Sequence, residues 1–384
     1  MRSNDRPGSH VCTDMRVLYS APPQAGHLLP GLPTISALRA AGHEVLLAGY
    51  GADPAGYAVT GLPVVDVGGD LTVDQAYRSL PSGNRFEHPT DLSPAGILRR
   101  PAAANAILSR NLIGPLLGVI RDWRPDVLLY DPFQGAVPLA SAITGVPAVE
   151  HGFGLISGPM LTALIAEELA ETYREHGAAG PAPAPVIEVV PPSLREPGPD
   201  AWQVRYVPLH GASALPRDLL APADRPRVLL TFGTIVGTGE RDRRLGELLP
   251  LLAGTDADFL LPAAQDTGPL PGNVRALPWA PVTEVLRHCR AIIHHGGAGT
   301  LMAAVTTGTP QLIIPHHGDQ FHNAEVVTRA GIGLTTAGTG DLTPALLDRL
   351  LHDASLVAAV ERVRAENARQ PAPSTLVARF ESLR

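Results

Sequence analysis

Lysine is absent from all 384 residues: the 30 basic side chains are arginines, set against 37 acidic ones for a net charge of −7. With a pI near 6.0, that balance argues against a nucleic-acid binder. The all-arginine usage, beside abundant Ala, Gly and Pro, reads as GC-rich coding bias and not as a basic patch. Cysteine is nearly missing. Cys12 and Cys289 alone give no disulfide framework, so a reducing cytoplasm is the plain expectation. No apolar run reaches the ~18 residues of a membrane span and no signal peptide is visible, so no stable membrane insertion is expected. Two familiar phosphate motifs are also missing. There is no Gly-x-Gly-x-x-Gly, which disfavours a dinucleotide oxidoreductase, and no Lys follows the chain's main glycine turn as a Walker loop requires.

What remains is a globular composition, 45% hydrophobic and 17% charged, on a chain long enough for two cores. Residues 1–14 are polar and turn-rich and read as a disordered leader. Strands are expected over 15–20, 44–48, 63–67, 126–130 and 147–150, with helices over 28–41 and 135–144; alternation of this kind implies a parallel, doubly wound sheet. Residues 68–94 lack periodicity and read as a mobile loop over a cleft. A helical region then runs to Asp122, interrupted or restarted at Pro101 and Pro115. The Pro- and Ala-rich stretch 177–200 reads as extended and surface-lying, outside the core. At Arg227 a second strand-and-small-residue-turn begins, ending in Phe232-Gly233-Thr234. The domains expected are thus 15–206 and 227–370, a linker over 207–226, and a closing segment over 371–384.

The centre of the chain is His294-His295-Gly296-Gly297-Ala298-Gly299-Thr300, between the apolar run Ala291-Ile292-Ile293 and a helix-forming stretch from Leu301. A strand, a small-residue turn and a helix start make an anion site: glycines admit close approach, and the first-turn amides point at the guest. Thr300 adds a hydroxyl and His295 an imidazole. Trp279-Ala280-Pro281 lies upstream. Downstream come Gln311 to Pro315, then His316-His317-Gly318-Asp319-Gln320-Phe321-His322-Asn323.

Trp279, the His295–Thr300 turn, Gly308, Pro310, Pro315, Asp319, Gln320 and Asn323 resemble, in residue and spacing, the donor-binding signature of the GT-B glycosyltransferases. The branch is the bacterial one that decorates macrolides, enediynes and glycopeptides. The resemblance implies two facing Rossmann-like domains, with the segment Ser374–Arg384 crossing back onto the first. It implies an inverting transfer of a sugar from a nucleoside diphosphate to a hydroxyl of a hydrophobic natural-product aglycone, without metal or other cofactor. The diphosphate then falls to Gly297, Ala298, Gly299 and Thr300 with His295 opposite and Thr234 as a further donor. Trp279 would stack on the base, backbone near Val282 would read its edge, and Asp319 and Gln320 would hold the sugar. His27, in Gly26-His27-Leu28 after the first strand, takes the base position, and Asp131 that of its orienting acid. A Glu that holds both ribose hydroxyls in other members is Ala303 here, which favours a thymidine-diphosphate deoxysugar. A sugar-nucleotide epimerase of the same fold and a non-catalytic glycosyltransferase partner are the alternatives; a homodimer is allowed for.

Each residue has a plainer reading. His27 alone fits a loop histidine, Asp131 a cap for the helix at Gly135, Asp319 the cap of the next helix, and Trp279 a core aromatic. His151 fits an acceptor wall or a structural position equally. His294, His316, His317 and His322 lack metal-ligand spacing and read as loop and anion-site histidines. Asp256-Ala257-Asp258, which mimics a metal-binding Asp-x-Asp, reads as a surface junction.

Overall fold

The computed structural model describes residues 14–50, 54–68, 71–81, 91, 93–211, 214–233, 238–262 and 269–384. The leader expected over 1–14 (apart from Asp14), Cys12 and Thr234 lie outside them.

Two sheets, every strand pair parallel, organise the chain. The first holds β1 (Arg16–Ser20), β2 (Glu44–Gly49), β3 (Val64–Asp66), β4 (Val127–Tyr130), β5 (Ala148–His151), β6 (Val186–Glu188) and β7 (Trp202–Gln203) in the order β3-β2-β1-β4-β5-β6-β7. The second holds β8 (Arg227–Thr231), β9 (Asp258–Pro262), β10 (Val274–Leu277), β11 (Ala291–His294), β12 (Gln311–Ile313) and β13 (Gly333–Thr335) in the order β10-β9-β8-β11-β12-β13. The strands read as near-continuous apolar runs because helices cover both faces: Val127–Tyr130 and Ala291–His294 are buried at every position.

The strand order of each sheet reverses once, between β1 and β4 in the first and between β8 and β11 in the second. Chain leaving the carboxyl ends of two such strands diverges to opposite faces and leaves a crevice. The register fixes what meets there. Ser20 pairs with Tyr130, bringing the loops bearing His27 and Asp131 together. His294 pairs with Thr231, bringing the Gly233 and His295 turns together.

Three expectations need correction. The segment 177–200 is not confined to the surface: it supplies β6, and Ile187, Val189, Val190 and Leu194 are buried in the core. Its prolines flank the strand and leave its ladder amides free to pair. The region 94–123 is one helix, Pro94–Trp123, running through Pro101 and Pro115. Burial of Leu98, Leu108, Leu112, Leu116 and Ile120 along its length offsets the ~3 kcal/mol cost of an interior proline. Within 68–94, the described residues include a helix, Val73–Arg78, whose start is a capping box between Thr72 and Gln75.

The helix Pro94–Trp123 is long and apolar enough to cross a membrane by length and composition, but half of its most apolar window is buried inside the fold. One core cluster runs from the first sheet (Val17, Tyr19) and the loop after β5 (Leu155) into second-sheet helices (Leu301, Met302, Val327, Val360) and the chain end (Leu376, Phe380). The closing helix Val377–Glu381 docks on the first sheet's side, with Phe380 against Trp202 at 5.8 Å and Arg384 bonded to Asp126 at 3.1 Å. Between the sheets, the chain at Tyr206 is clasped by Asn367, which accepts from its amide (2.9 Å) and donates to its carbonyl (3.1 Å).

Candidate active site

After β1 the chain makes a short helix, Ala25–Leu28, pinned by the buried Tyr19 hydroxyl, which donates to the carbonyls of His27 and Leu28. Gly31 makes room for that hydroxyl: a Cβ there would lie 2.8 Å from it. His27 is thereby held with Nδ1 3.0 Å from Asp131 Oδ2. Phe133 and Phe153 flank the ring at 4.6 and 4.8 Å. Asp131 is 1% exposed, and its other oxygen accepts from the Phe133 amide at 2.9 Å. That bond turns the chain after β4; the helix Ala136–Thr144 starts at Gly135 with no side-chain cap, so Asp131 is not its capping residue. A carboxylate committed this way holds the Nδ1–H tautomer and leaves Nε2, which has no partner among the described residues, as the acceptor of a proton. A small pocket opens beside the ring, lined by Pro22, Gln24, Val73, Tyr77, Asn105 and Phe133.

On the other sheet, β11 ends in a turn with Gly296 at φ 92° and the helix Ala298–Thr307, whose start at Gly297 carries no side-chain cap. The amides of Ala298, Gly299 and Thr300 are therefore first-turn donors without intrahelical acceptors. The His295 ring packs close to two glycines: a Cβ at Gly233 would stand 2.5 Å from its Cε1, and one at Gly297 2.5 Å from its Nε2. Its residue surface is only partly covered, yet the ring nitrogen Nδ1 is sealed from solvent. Burial, reinforced by His294, His316 and His317, pulls its pKa down to about 3. His295 is therefore neutral near pH 7, a hydrogen-bonding dipole and not a cation.

His294 and His151 are structural. His294 lies buried on β11, accepting from the Gly296 amide at Nδ1 (3.1 Å) and bonded to Gln311 through Nε2 (2.9 Å). It is not a loop or anion-site residue. His151 uses Nδ1 on the Gly152 carbonyl (2.8 Å) and Nε2 on the Thr34 hydroxyl (2.9 Å). Burial lowers both to about 4.

Asp319 does not cap the helix Gln320–Arg329; it accepts from Asn323 Nδ2 at 2.9 Å, and Asn323 also donates to the Gly296 carbonyl at 2.8 Å. The glycine turn after β11 and the Asp319 loop are thus braced together. Burial raises the Asp319 pKa, and His27 lies near enough across the cleft to oppose that shift. Gln320 differs from expectation. It is 3% exposed, and its carboxamide oxygen already accepts from the amides of His316 (2.8 Å) and His317 (3.3 Å), so it shapes the loop. Trp279 is 61% exposed, which removes the core reading, and Val282 begins the helix Val282–Leu286. Asp256 and Asp258 both pair with Arg225. No group of three or more His, Cys, Asp or Glu among the described residues is placed to hold a metal.

Two residues without a motif complete the arrangement. Phe153 flanks His27, and its neighbour Gly154 meets Ala298: a Cβ on Gly154 would lie 2.5 Å from the Ala298 Cβ. That contact sets the His27–Asp131 pair against the uncapped helix start. A cavity of about 400 Å³ lies between the two halves, with Leu98, Leu155, Ile156 and Met160 on one wall and His322 and Val326 on the other.

Family models for the erythromycin biosynthesis protein CIII-like proteins match this chain twice, the N-terminal domain over residues 36–233 and the C-terminal domain over 247–383. The elloramycin glycosyltransferase ElmGT of Streptomyces olivaceus is 36% identical over 96% of this chain and 97% of its own. The L-demethylnoviosyl transferase of Streptomyces niveus is also 36% identical, over 94% and 96%. Among solved structures, the glycosyltransferase SnogD from Streptomyces nogalater superposes with TM-score 0.82 at 36% identity, covering 96% of this chain and 99% of that one. SsfS6 from Streptomyces sp. SF2575, complexed with thymidine diphosphate, gives TM-score 0.82 at 28% identity over 96% and 99%.

Proposed function

The chain belongs to the erythromycin biosynthesis protein CIII-like family of bacterial GT-B glycosyltransferases, and from that premise we propose that it is an inverting enzyme using a thymidine-diphosphate deoxysugar. Transfer of a sugar to an aglycone follows from the family; stereochemistry, donor and residue roles are the proposal. The observation that carries it is the His27–Asp131 pair facing an uncapped helix start across the Phe153–Gly154 contact.

In this reading the acceptor hydroxyl enters the pocket beside His27 and gives its proton to Nε2. Asp131 stabilises the imidazolium that results. The acceptor oxygen bonds to the anomeric carbon as the carbon–oxygen bond to the diphosphate breaks on the opposite face, which inverts that centre. Charge appearing on the diphosphate meets the amides of Ala298, Gly299 and Thr300, the Thr300 hydroxyl and the neutral His295 dipole, donors preorganised before the reaction. Asp319 orients the sugar hydroxyls, and the exposed face of Trp279 stacks on the base beside the Val282 backbone. The apolar body of the acceptor takes the larger cavity, which does not include His27; the smaller pocket takes the reacting group.

Ala303 supports the donor assignment. It is wholly buried in an apolar cluster with Val285 and Leu286, so this helix offers no carboxylate to a ribose 2′-hydroxyl. That SsfS6 was crystallised with thymidine diphosphate points the same way. No metal takes part in this reading, and we place the enzyme in the cytoplasm. An epimerase would leave the His27–Asp131 pair without a role. Calorimetry with thymidine and uridine diphosphates, in EDTA, tests the donor half. Tight thymidine diphosphate binding that collapses in His295→Ala is expected; equal affinity for the two nucleotides would overturn the donor assignment.

A further inference from the structure

The helix Val282–Leu286, which follows the exposed Trp279, lacks a cap of its own. Pro281 stands at its N-cap position and supplies no side-chain acceptor. The missing acceptor comes from 73 residues away. The Thr283 amide donates to His210 Nε2 at 3.3 Å, and the Thr283 hydroxyl lies 2.6 Å from the same nitrogen. Thr283 is 2% exposed, so a Thr283 amide without that partner would be an orphan donor shielded from water.

His210 belongs to the connection between the two sheets. Its neighbour Gly211 packs against the other half: a Cβ there would stand 2.8 Å from Val59 Cγ2. Consecutive linker residues thus hold one half each, Gly211 the first and His210 the second. The part of the second that His210 holds is Thr283, in the first turn of the helix that follows Trp279 and directly after Val282, the two residues beside which the base is placed in the function proposed above.

We propose that His210 is a positioning residue for the donor nucleotide: its unprotonated Nε2 caps the helix after Trp279 from the interdomain linker and fixes the base-binding wall. The inference rests on the reading of Trp279 and Val282 given above. The geometry demands an acceptor at Nε2, which an imidazolium cannot provide, and burial accordingly lowers the His210 pKa, with Glu284 pulling the other way. A glutamine side chain, through its amide oxygen, can replace that acceptor; phenylalanine fills the space without one.

The experiment is calorimetric titration of the full-length protein with thymidine diphosphate, in the wild type, His210→Phe, His210→Gln and Trp279→Ala, with folding checked by circular dichroism. Loss of one hydrogen bond that orders the site predicts roughly three- to tenfold weaker binding in His210→Phe, with recovery to within about twofold in His210→Gln. In turnover assays the loss falls on the donor KM and not on kcat. Wild-type affinity in His210→Phe, beside a clear loss in Trp279→Ala, overturns the inference and spares the base assignment. Equal losses in the two His210 variants also overturn it, because the requirement would then be shape and not an acceptor. Unchanged affinity in Trp279→Ala overturns the base assignment and this inference with it.

Discussion

Gly233 has two separable reasons to be glycine, and substituting alanine puts a number on each. Its φ is 74°, in the left-handed region that costs an L-residue about 1–2 kcal/mol. The new Cβ would also stand 2.5 Å from His295 Cε1 and 2.8 Å from its Nε2. The ring has little room to retreat, because Gly297 also lies against it, a Cβ there falling 2.5 Å from its Nε2. Overpacking of this kind costs about 1–3 kcal/mol. Gly331 isolates the first cost: its φ is 69°, and the nearest atom to an added Cβ lies at 4.0 Å. Urea unfolding followed by circular dichroism should therefore give a loss of about 1–2 kcal/mol in Gly331→Ala and about 2–5 kcal/mol in Gly233→Ala. In a double-mutant cycle, Gly233→Ala and His295→Ala should couple by about 1–3 kcal/mol, since removing the ring removes the collision. Thymidine diphosphate binding should fall in Gly233→Ala and stay low in the double variant. If Gly233→Ala costs no more than Gly331→Ala, or the cycle shows no coupling, the His295 ring is not held between the two turns and its place against the diphosphate fails with it.

Asp131→Asn keeps an acceptor for the Phe133 amide but offers an amide to His27 Nδ1, which favours the wrong tautomer; kcat should fall about 10²–10⁴-fold with thymidine diphosphate affinity unchanged, as single-turnover rates and calorimetry would show. Trp279→Ala should weaken nucleotide binding by the ~1–3 kcal/mol of a stacked base while shifting the urea midpoint little, because the ring is mostly exposed. The pH dependence of stability has two opposing limbs. His151 and His294, depressed to about 4, contribute stability that is complete above pH 6.5 and lost as pH falls through 4. Glu150, raised to about 7 mainly by burial, contributes stability that is complete below pH 4.5 and lost as pH rises through 7. Between pH 4.5 and 6.5 Glu150 opposes the depressed histidines, His295 among them, so Glu150→Gln should steepen the acid limb by roughly 1 kcal/mol per pH unit; an unchanged slope would show that Glu150 titrates alike folded and unfolded.

How much of this was legible in the sequence depends on where each constraint is stored. The alternation of strands and helices is local, written in apolar runs closed by turn residues, so both parallel sheets could be read from one chain. The glycine turn after β11 is local too. Interior prolines mislead because their cost is local while what offsets it, burial of Leu108 or Leu116 along Pro94–Trp123, comes from other elements. The helix Val73–Arg78 had a readable start in Thr72-x-x-Gln75, missed because the stretch around it shows no period. His294 and His295 are adjacent in sequence and alternate across the strand end, so one enters the core to bond Gln311 and the other enters the cleft. Composition cannot separate them; strand periodicity can, once β11 is placed. Gln320 was expected to reach a sugar because spacing carries no record of competing partners, and two loop amides had already engaged its oxygen.

Gly154 is the instructive case, since nothing near it in the sequence states its purpose. The Cβ it lacks would overlap the Ala298 Cβ, across a boundary 144 residues long in the chain. A methyl group there must separate Phe153, and so the ring against His27, from the helix Ala298–Thr307. In a two-sheet enzyme the reacting groups come from different halves, so their separation is set by whichever atoms touch first between those halves. Here those atoms include the Ala298 methyl and a glycine, so the separation of the His27–Asp131 pair from the helix Ala298–Thr307 is governed at a position that carries no side chain.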